Sequence, residues 1–443
     1  MKYLAMLAAW GVFVVAVLLS LPAPAAAGGV IGSGPGTCTP AELSAKIAGG
    51  GLYSFNCGPG PVTIVLTGTL DLSRDTTLDG GGVITISGGH NWHVFYVETG
   101  TGLTLKNLTV ADGRGGSGAG IYVFSDGRLT LVNTNFVGNQ ASFIGGAIVS
   151  NGPLTITGGL FYSNTANLNG GALDNDALAK ISGATFLSNT SGTRGGAIDN
   201  LSSGILEVVL SRLQGNIAQG PGGAIYNLGI LSLAQDTLAN NSAQAGSLGG
   251  GLADFGTFAD INSSTFVNNI AFGGGGVVLS DTQVYLEDTT FSANSSLGGA
   301  GALIETGQVH IDNITFYQNI GFAGAAIDVS GGQVFVENSI LAGNPSSNCS
   351  GVLTSQGYNI DDGHSCMLSA TGDMTTTNPL LGPLADNGGP TLTHALLPGS
   401  PAIHHGNRPY CQGLDQRGYV RGTYCDIGAF QVVFRVLAPL LLR

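Results

Sequence analysis

The sequence predicts an all-β fold: a right-handed, single-stranded parallel β-helix, a solenoid of about 25 residues per coil with disulfide-stapled ends. Three observations predict it. Two short signatures recur with a nearly constant step, hydrophobicity within each repeat has period two, and the cysteines are confined to the flanks.

The first signature is a glycine-rich tetrapeptide ending in an aliphatic residue. It reads Gly145-Gly146-Ala147-Ile148, Gly170-Gly171-Ala172-Leu173, Gly195-Gly196-Ala197-Ile198 and Gly222-Gly223-Ala224-Ile225, with looser copies ending at Ile121, Leu252, Val277, Leu303 and Ile327. The second is Phe-x-x-Asn, or Leu-x-x-Asn, ending at Asn139, Asn164, Asn189, Asn216, Asn241, Asn269, Asn294, Asn319 and Asn344. Successive asparagines are separated by 25, 25, 27, 25, 28, 25, 25 and 25 residues.

Leu154-Thr155-Ile156-Thr157, Val309-His310-Ile311-Asp312 and Val334-Phe335-Val336-Glu337 alternate apolar and polar residues. That alternation marks short strands with one buried face. A step of this size holds three strands and three bends, one coil of a parallel β-helix, with coils about 4.8 Å apart. Ile148, Leu154, Ile156 and Phe161 should stack on Leu173, Ile181 and Phe186 of the next coil. Leucine-rich repeats would need leucines at fixed positions and a helix in each unit, and propeller blades are longer.

Each coil bend strands backbone groups that the strand ladder cannot reach. An inward asparagine can bond them and its neighbours above and below. The nine asparagines therefore read as a structural ladder, with Asn175, Asn200 and Asn227 as a second column. The alternative is a row of sugar-binding amides.

Composition limits the rest. Glycine reaches 74 of 443 residues without a three-residue period, which excludes collagen, and 43% hydrophobic residues exclude a disordered chain. Only 14 basic residues and a net charge of −13 leave no footing on a phosphate backbone or an anionic lipid surface. Nucleic acid is excluded as a partner.

Lys2, the apolar run Leu4 to Leu19 and Ala25-Ala26-Ala27 have the layout of a secretory signal peptide over residues 1–27. No transmembrane segment is expected in the mature chain, so the protein is expected to be secreted or held at the cell surface. The six cysteines suit that compartment. Closure between sequence neighbours pairs Cys38 with Cys57, Cys349 with Cys366 and Cys411 with Cys425. No C-x-x-C pair points to a metal instead, and neither a metal nor a cofactor is expected. The organisation is then an N-terminal cap (28–60), the repeats (61–345), a C-terminal region (346–431) and a short apolar tail (432–443). The tail reads as a sorting signal or as a last strand covering the open end of the solenoid.

The paired tetrapeptides, over roughly residues 116–345, resemble the passenger repeats of chlamydial polymorphic outer membrane proteins. That resemblance implies a cell-surface, adhesin-like role. The flanks resemble a second family. Thr39-Pro40-Ala41-Glu42-Leu43, Phe55-Asn56-Cys57-Gly58 and Thr76 to Gly82 are similar to the opening of bacterial exported right-handed β-helix repeat proteins. Asn378 to Leu384, Asn387-Gly388-Gly389-Pro390-Thr391, Pro398 to Ala402, Asp415-Gln416-Arg417-Gly418 and Asp426 to Phe430 are similar to their choice-of-anchor ending. This second resemblance implies fold and surface location and carries no activity.

A polysaccharide hydrolase on this scaffold would need acidic residues clustered on adjacent coils. The best catalytic candidates are Asp174 and Asp199, which follow equivalent tetrapeptides, with Arg194 nearby. They are expected to point outward as a solvated pair. The N-T-D, D-D and G-H-G elements of polygalacturonases do not occur together. His90, Trp92 and His93 read as capping, His404-His405 lack metal-like partners, and Asp361-Asp362-Gly363-His364 reads as a loop. Asp415, Arg417, Arg421 and Asp426 read as ion pairs within the C-terminal region. The expectation is a non-catalytic β-helix presenting a repetitive face for adhesion or for binding glycans, matrix or other cell-surface molecules. The alternative is a polysaccharide lyase or glycoside hydrolase.

Overall fold

A computed structural model describes residues 28–244, 246–407, 413–422 and 424–433. The signal segment 1–27, Cys411 and tail residues 434–443 lie outside the described residues. The chain is an all-β parallel solenoid of about 13 turns.

One coil shows how the sequence builds all of them. Ile148–Ser150, Leu154–Thr157, Leu160–Tyr162 and Thr165–Ala166 are successive strands. They pair in parallel with Leu173–Asn175, Leu178–Ser182, Thr185–Leu187 and Thr190–Ser191 of the next coil. The first three strands define three faces of the solenoid, here called first, second and third.

Register puts like on like. Ile148 faces Leu173, Ile156 faces Ile181 and Phe161 faces Phe186. The phenylalanines stack nearly parallel, with ring centroids 4.9 Å apart for Phe136 and Phe161 and 4.5 Å for Phe161 and Phe186. A single core cluster runs from Ile31 to Leu368. At the tetrapeptide ending in Leu303 the frame differs from the sequence reading by one residue. Ala302 is the residue in register with Val277 and Ile327, and Leu303 faces outward opposite Val278 and Asp328. The alternation there begins one position earlier, and only pairing to the adjacent coils reveals it.

The asparagines form a continuous buried ladder. Asn164 Nδ2 donates to Asn189 Oδ1 and to the carbonyl of Phe136, each at 3.0 Å, and the Asn164 backbone N–H also reaches Asn189 Oδ1. The same set recurs from Asn139 to Asn344. A second column runs Asn175, Asn200, Asn227 and on to Asp254. The glycines allow the turns before these strands to lie against the neighbouring backbone. A Cβ on Gly146 would sit 2.0 Å from the Gly171 carbonyl oxygen.

The ladder of paired strands extends beyond the segment expected from the repeats. It begins at Gly29–Ile31, paired with Tyr53–Phe55, and ends at Met374–Thr375, paired with Ile360–Asp361. Helix Pro40–Ile47, capped by Thr39, packs Leu43 and Ile47 into the core at the N-terminal end. Disulfides Cys38–Cys57 and Cys349–Cys366 staple the two ends. Cys425 is also disulfide-bonded, while its expected partner lies outside the described residues.

The C-terminal region does not sit on the end of the solenoid. It folds back along the third face. The Thr265 hydroxyl donates to the Leu392 carbonyl, the Thr290 hydroxyl to Gln416 Oε1, and Ser292 meets His394. Arg417 pairs with Asp415 at 2.6 Å, whereas Arg421 reaches across to Asp288 of the solenoid.

Two outcomes follow from this construction. Asn189→Leu removes the donor to Phe161 and the acceptor for Asn164, so it should destabilise the protein by about 3 kcal/mol. Denaturant unfolding measures it, and an unchanged transition would refute the ladder's structural role. Reduction should speed hydrogen exchange near the two stapled ends before it reaches the central coils.

Candidate functional site

Two carboxyl clusters stand on the solenoid. The first contains the residues singled out in the sequence. Asp174 and Asp199 are in register on adjacent coils of the first face, between Val149 and Tyr226. They are not solvated: Asp174 is 2% exposed and Asp199 fully buried. The glycine turn before each strand folds back over it, so that a Cβ on Gly170 or Gly195 would collide with the carbonyl of Leu173 or Ile198. Arg194, carried on that turn, bonds Asp199 at 3.1 Å and lies over the Tyr226 ring at 4.7 Å.

Burial, and then the neighbouring Asp199 charge, pushes the Asp174 carboxyl up to about 8. Burial raises Asp199 to about 6 against the opposing pull of Arg194. With both groups ionised, Asp174 Oδ2 and Asp199 Oδ1 would have no donor. One proton held on Asp174 supplies it, leaving Asp199 as the partner of Arg194. The pair is thus enclosed by its own glycine turns and shut off from solvent.

The second cluster was not singled out in the sequence. On the second face, outward residues of strands Val277–Glu287, Ala302–Asp312 and Gln333–Glu337 stack in two columns. One is Tyr285, His310 and Phe335, and the other is Glu287, Asp312 and Glu337. The rings are nearly parallel, with centroids 5.2 and 5.0 Å apart. Their faces are therefore turned to one another and their edges outward. Tyr285, Glu287, His310, Ile311, Asp312, Glu337 and Gln356 line a cleft of about 270 Å³. The C-terminal region makes its rim: Asn407 Nδ2 donates to Glu337 Oε1 at 2.6 Å, and Arg421 binds Asp288 beside Glu287.

Desolvation dominates the electrostatics. It pushes Glu287 up to about 7, helped by Asp260 and Asp288. It holds Asp312 well above the carboxylate range, reinforced by Asp288, Glu337 and Glu287 and opposed by Arg421. Burial also raises Glu337 and lowers His310, so the imidazole is neutral at pH 7. The common step of 25 residues linking 285, 310 and 335, and 287, 312 and 337, was the signal in the sequence that could have found the cleft.

The other candidates fall into structural roles. His93 Nδ1 meets the Gly118 carbonyl and its Nε2 accepts from the Gly116 N–H, which caps the adjoining coil, while Trp92 is exposed. Asp361 holds the disulfide loop by accepting from Asn348, Gly363 and Cys366. His404 donates its backbone N–H to Asp426. Among the described residues no group of three or more His, Cys, Asp or Glu could hold a metal ion, and no helix is long and apolar enough to cross a membrane.

Fold and site together define a parallel β-solenoid protein with a polar, carboxyl-lined cleft on one face. Comparison with protein-family models, curated proteins and solved structures returns no match.

The carboxyl pKa values set a pH dependence. Each described carboxyl with a resolved shift is raised, so the folded state retains protons that the unfolded chain has released. Their contribution is full near pH 4 and is lost as pH rises through about 6 to 8. The melting temperature should fall from pH 5 to pH 9. Asp174→Asn keeps a donor without an ionisable proton and should flatten that fall, gaining about 1 kcal/mol or more at pH 9 relative to pH 5. Parallel pH profiles of the two proteins would expose the error if Asp174 ionises normally.

Proposed function

We propose that the protein is an exported or cell-surface solenoid that binds a glycan, without catalysis, through the cleft on its second face. The observation carrying this reading is the pair of in-register columns, Tyr285–His310–Phe335 and Glu287–Asp312–Glu337, of which all but Phe335 line one cavity. A sugar presents many hydroxyls. Carboxyl oxygens, a neutral imidazole, a phenol and the Gln356 amide supply complementary donors and acceptors on rigid strands. The ring edges form a wall and not a stacking platform, so hydrogen bonds rather than ring-face contacts would set affinity.

Surface location is supported by the two disulfides and by the similarity of the flanks to exported repeat proteins with choice-of-anchor endings. The similarity of the repeats to passenger repeats of polymorphic outer membrane proteins fits an adhesin-like role. The alternative of polysaccharide cleavage draws on one specific observation, the Glu287 carboxyl near 7 beside other carboxyls, a value suited to a general acid.

The test is a glycan array with the purified protein, run beside an assay for released reducing or unsaturated ends. Binding without release is the expected outcome. His310→Ala should weaken binding at least tenfold, whereas Lys180→Ala, five coils away on the same face, should leave it unchanged. Equal binding by the His310 variant would place the ligand elsewhere, and release of chain ends would replace binding by cleavage.

A further inference from the structure

The charge inventory of the cleft narrows its occupant. Glu287, Asp312 and Glu337 repeat at the coil spacing of about 4.8 Å. Asp260 and Asp288 stand close enough to Glu287 to raise its pKa. Among the described residues the cation acting on this group of carboxyls is Arg421, whose guanidinium binds Asp288 and the carbonyls of Asp426 and Gly428. Asn262 reaches Glu287 Oε2 at 3.3 Å and Asn407 reaches Glu337 Oε1, but Asp312 Oδ1 is shielded from solvent without any donor. The middle carboxyl of three, which lines the cavity, thus has one oxygen without a donor among the described residues.

Such a group can hold a proton, or it can be paired by a cation that arrives with a ligand. Buried charge without a partner is costly, and a partner that removes the cost binds tightly. Building on the glycan reading, we propose that the cleft recognises a sugar carrying a free amine, whose ammonium group sits against Asp312, the middle member of the Glu287–Asp312–Glu337 column. An ammonium has three donors and no acceptor, which suits a column of carboxyl acceptors one coil apart. A neutral hydroxyl in the same place would leave the carboxyls protonated and add no charge pairing. The cavity, about 270 Å³, has room for a single sugar-sized unit.

Titration should report the same event. The ammonium would displace protons from Glu287 and Asp312, the groups facing them being Asp260, Tyr285, Asp288, His310, Glu337 and Arg421. Burial lowers His310 and Arg421 stays paired, and the loss of proton release in the Glu287→Gln, Asp312→Asn protein identifies the carboxyls as its source.

The experiment is calorimetric titration of the purified protein at pH 6 with a glucosamine tetramer and with its fully N-acetylated counterpart, in two buffers of different ionisation enthalpy. The amine form should bind at least tenfold more tightly and release a proton, and the acetylated form should release none. Glu287→Gln with Asp312→Asn should abolish the preference while preserving the melting curve. Glu337→Gln alone should reduce it, and Asp126→Asn, at an exposed turn far from the cleft, should not. Equal affinity for the two tetramers would overturn the amine and leave glycan binding standing. A preference that survives the paired substitution, or an equal response to a tetralysine peptide, would also overturn it. Failure of both tetramers while other glycans bind on the array rejects the amino sugar, and silence across the whole array rejects the glycan reading itself.

Discussion

In-register parallel pairing between coils is the constraint on which the remaining structure depends. Each residue sits directly over its counterpart in the previous coil, so the chain cannot vary one position without regard to its neighbours. Inside, this rule produces stacked phenylalanines and a buried asparagine column. The asparagines reconcile two demands. The bend before each short strand breaks the regular ladder, and an amide can bond both that bend and the amide of the next coil. Removing one member leaves orphaned groups on two coils.

Outside, the same rule turns single substitutions into columns. Stacked amides satisfy one another, because each has both a donor and an acceptor. Stacked carboxylates cannot. Where carboxyls fall in register, at Asp174 and Asp199 or at Glu287, Asp312 and Glu337, the chain must retain protons or import a cation. The first pair does both, with a proton on Asp174 and Arg194 on Asp199. Among the described residues the second shows no such cation, since Arg421 is bound to Asp288. That difference separates an enclosed structural pair from an open cleft with an unmet requirement.

The C-terminal region gives the second cluster its shape. By folding back along the third face it brings Asn407 to Glu337 and Arg421 to Asp288, more than a hundred residues away in the latter case. Desolvation and the neighbouring solenoid carboxyls raise Glu287 and Asp312, and Arg421 opposes the shift at Asp312. The arrangement resembles a rigid wall with a fixed rim, so ligand recognition rests on strands rather than on mobile loops.

The solenoid, its step, the inward positions and the asparagine columns were legible in the sequence, because each is a local pattern repeated at one period. The two described disulfides were legible for a similar reason, since close sequence neighbours close at the ends of the repeats. The frame at Ala302 and Leu303 was not, because only pairing to adjacent coils decides which of two neighbouring apolar residues points inward. Nor was the burial of Asp174 and Asp199. Alternation says that they leave the core, but whether water meets them depends on the glycine turn folded over the strand. The cleft lay in between. Its columns share the period of 25 residues, yet the contacts of Asn407 with Glu337 and of Arg421 with Asp288 come from a segment that reaches it only through the tertiary fold. Periodicity is a property of the chain, whereas solvent exposure and electrostatic environment are properties of everything packed around it.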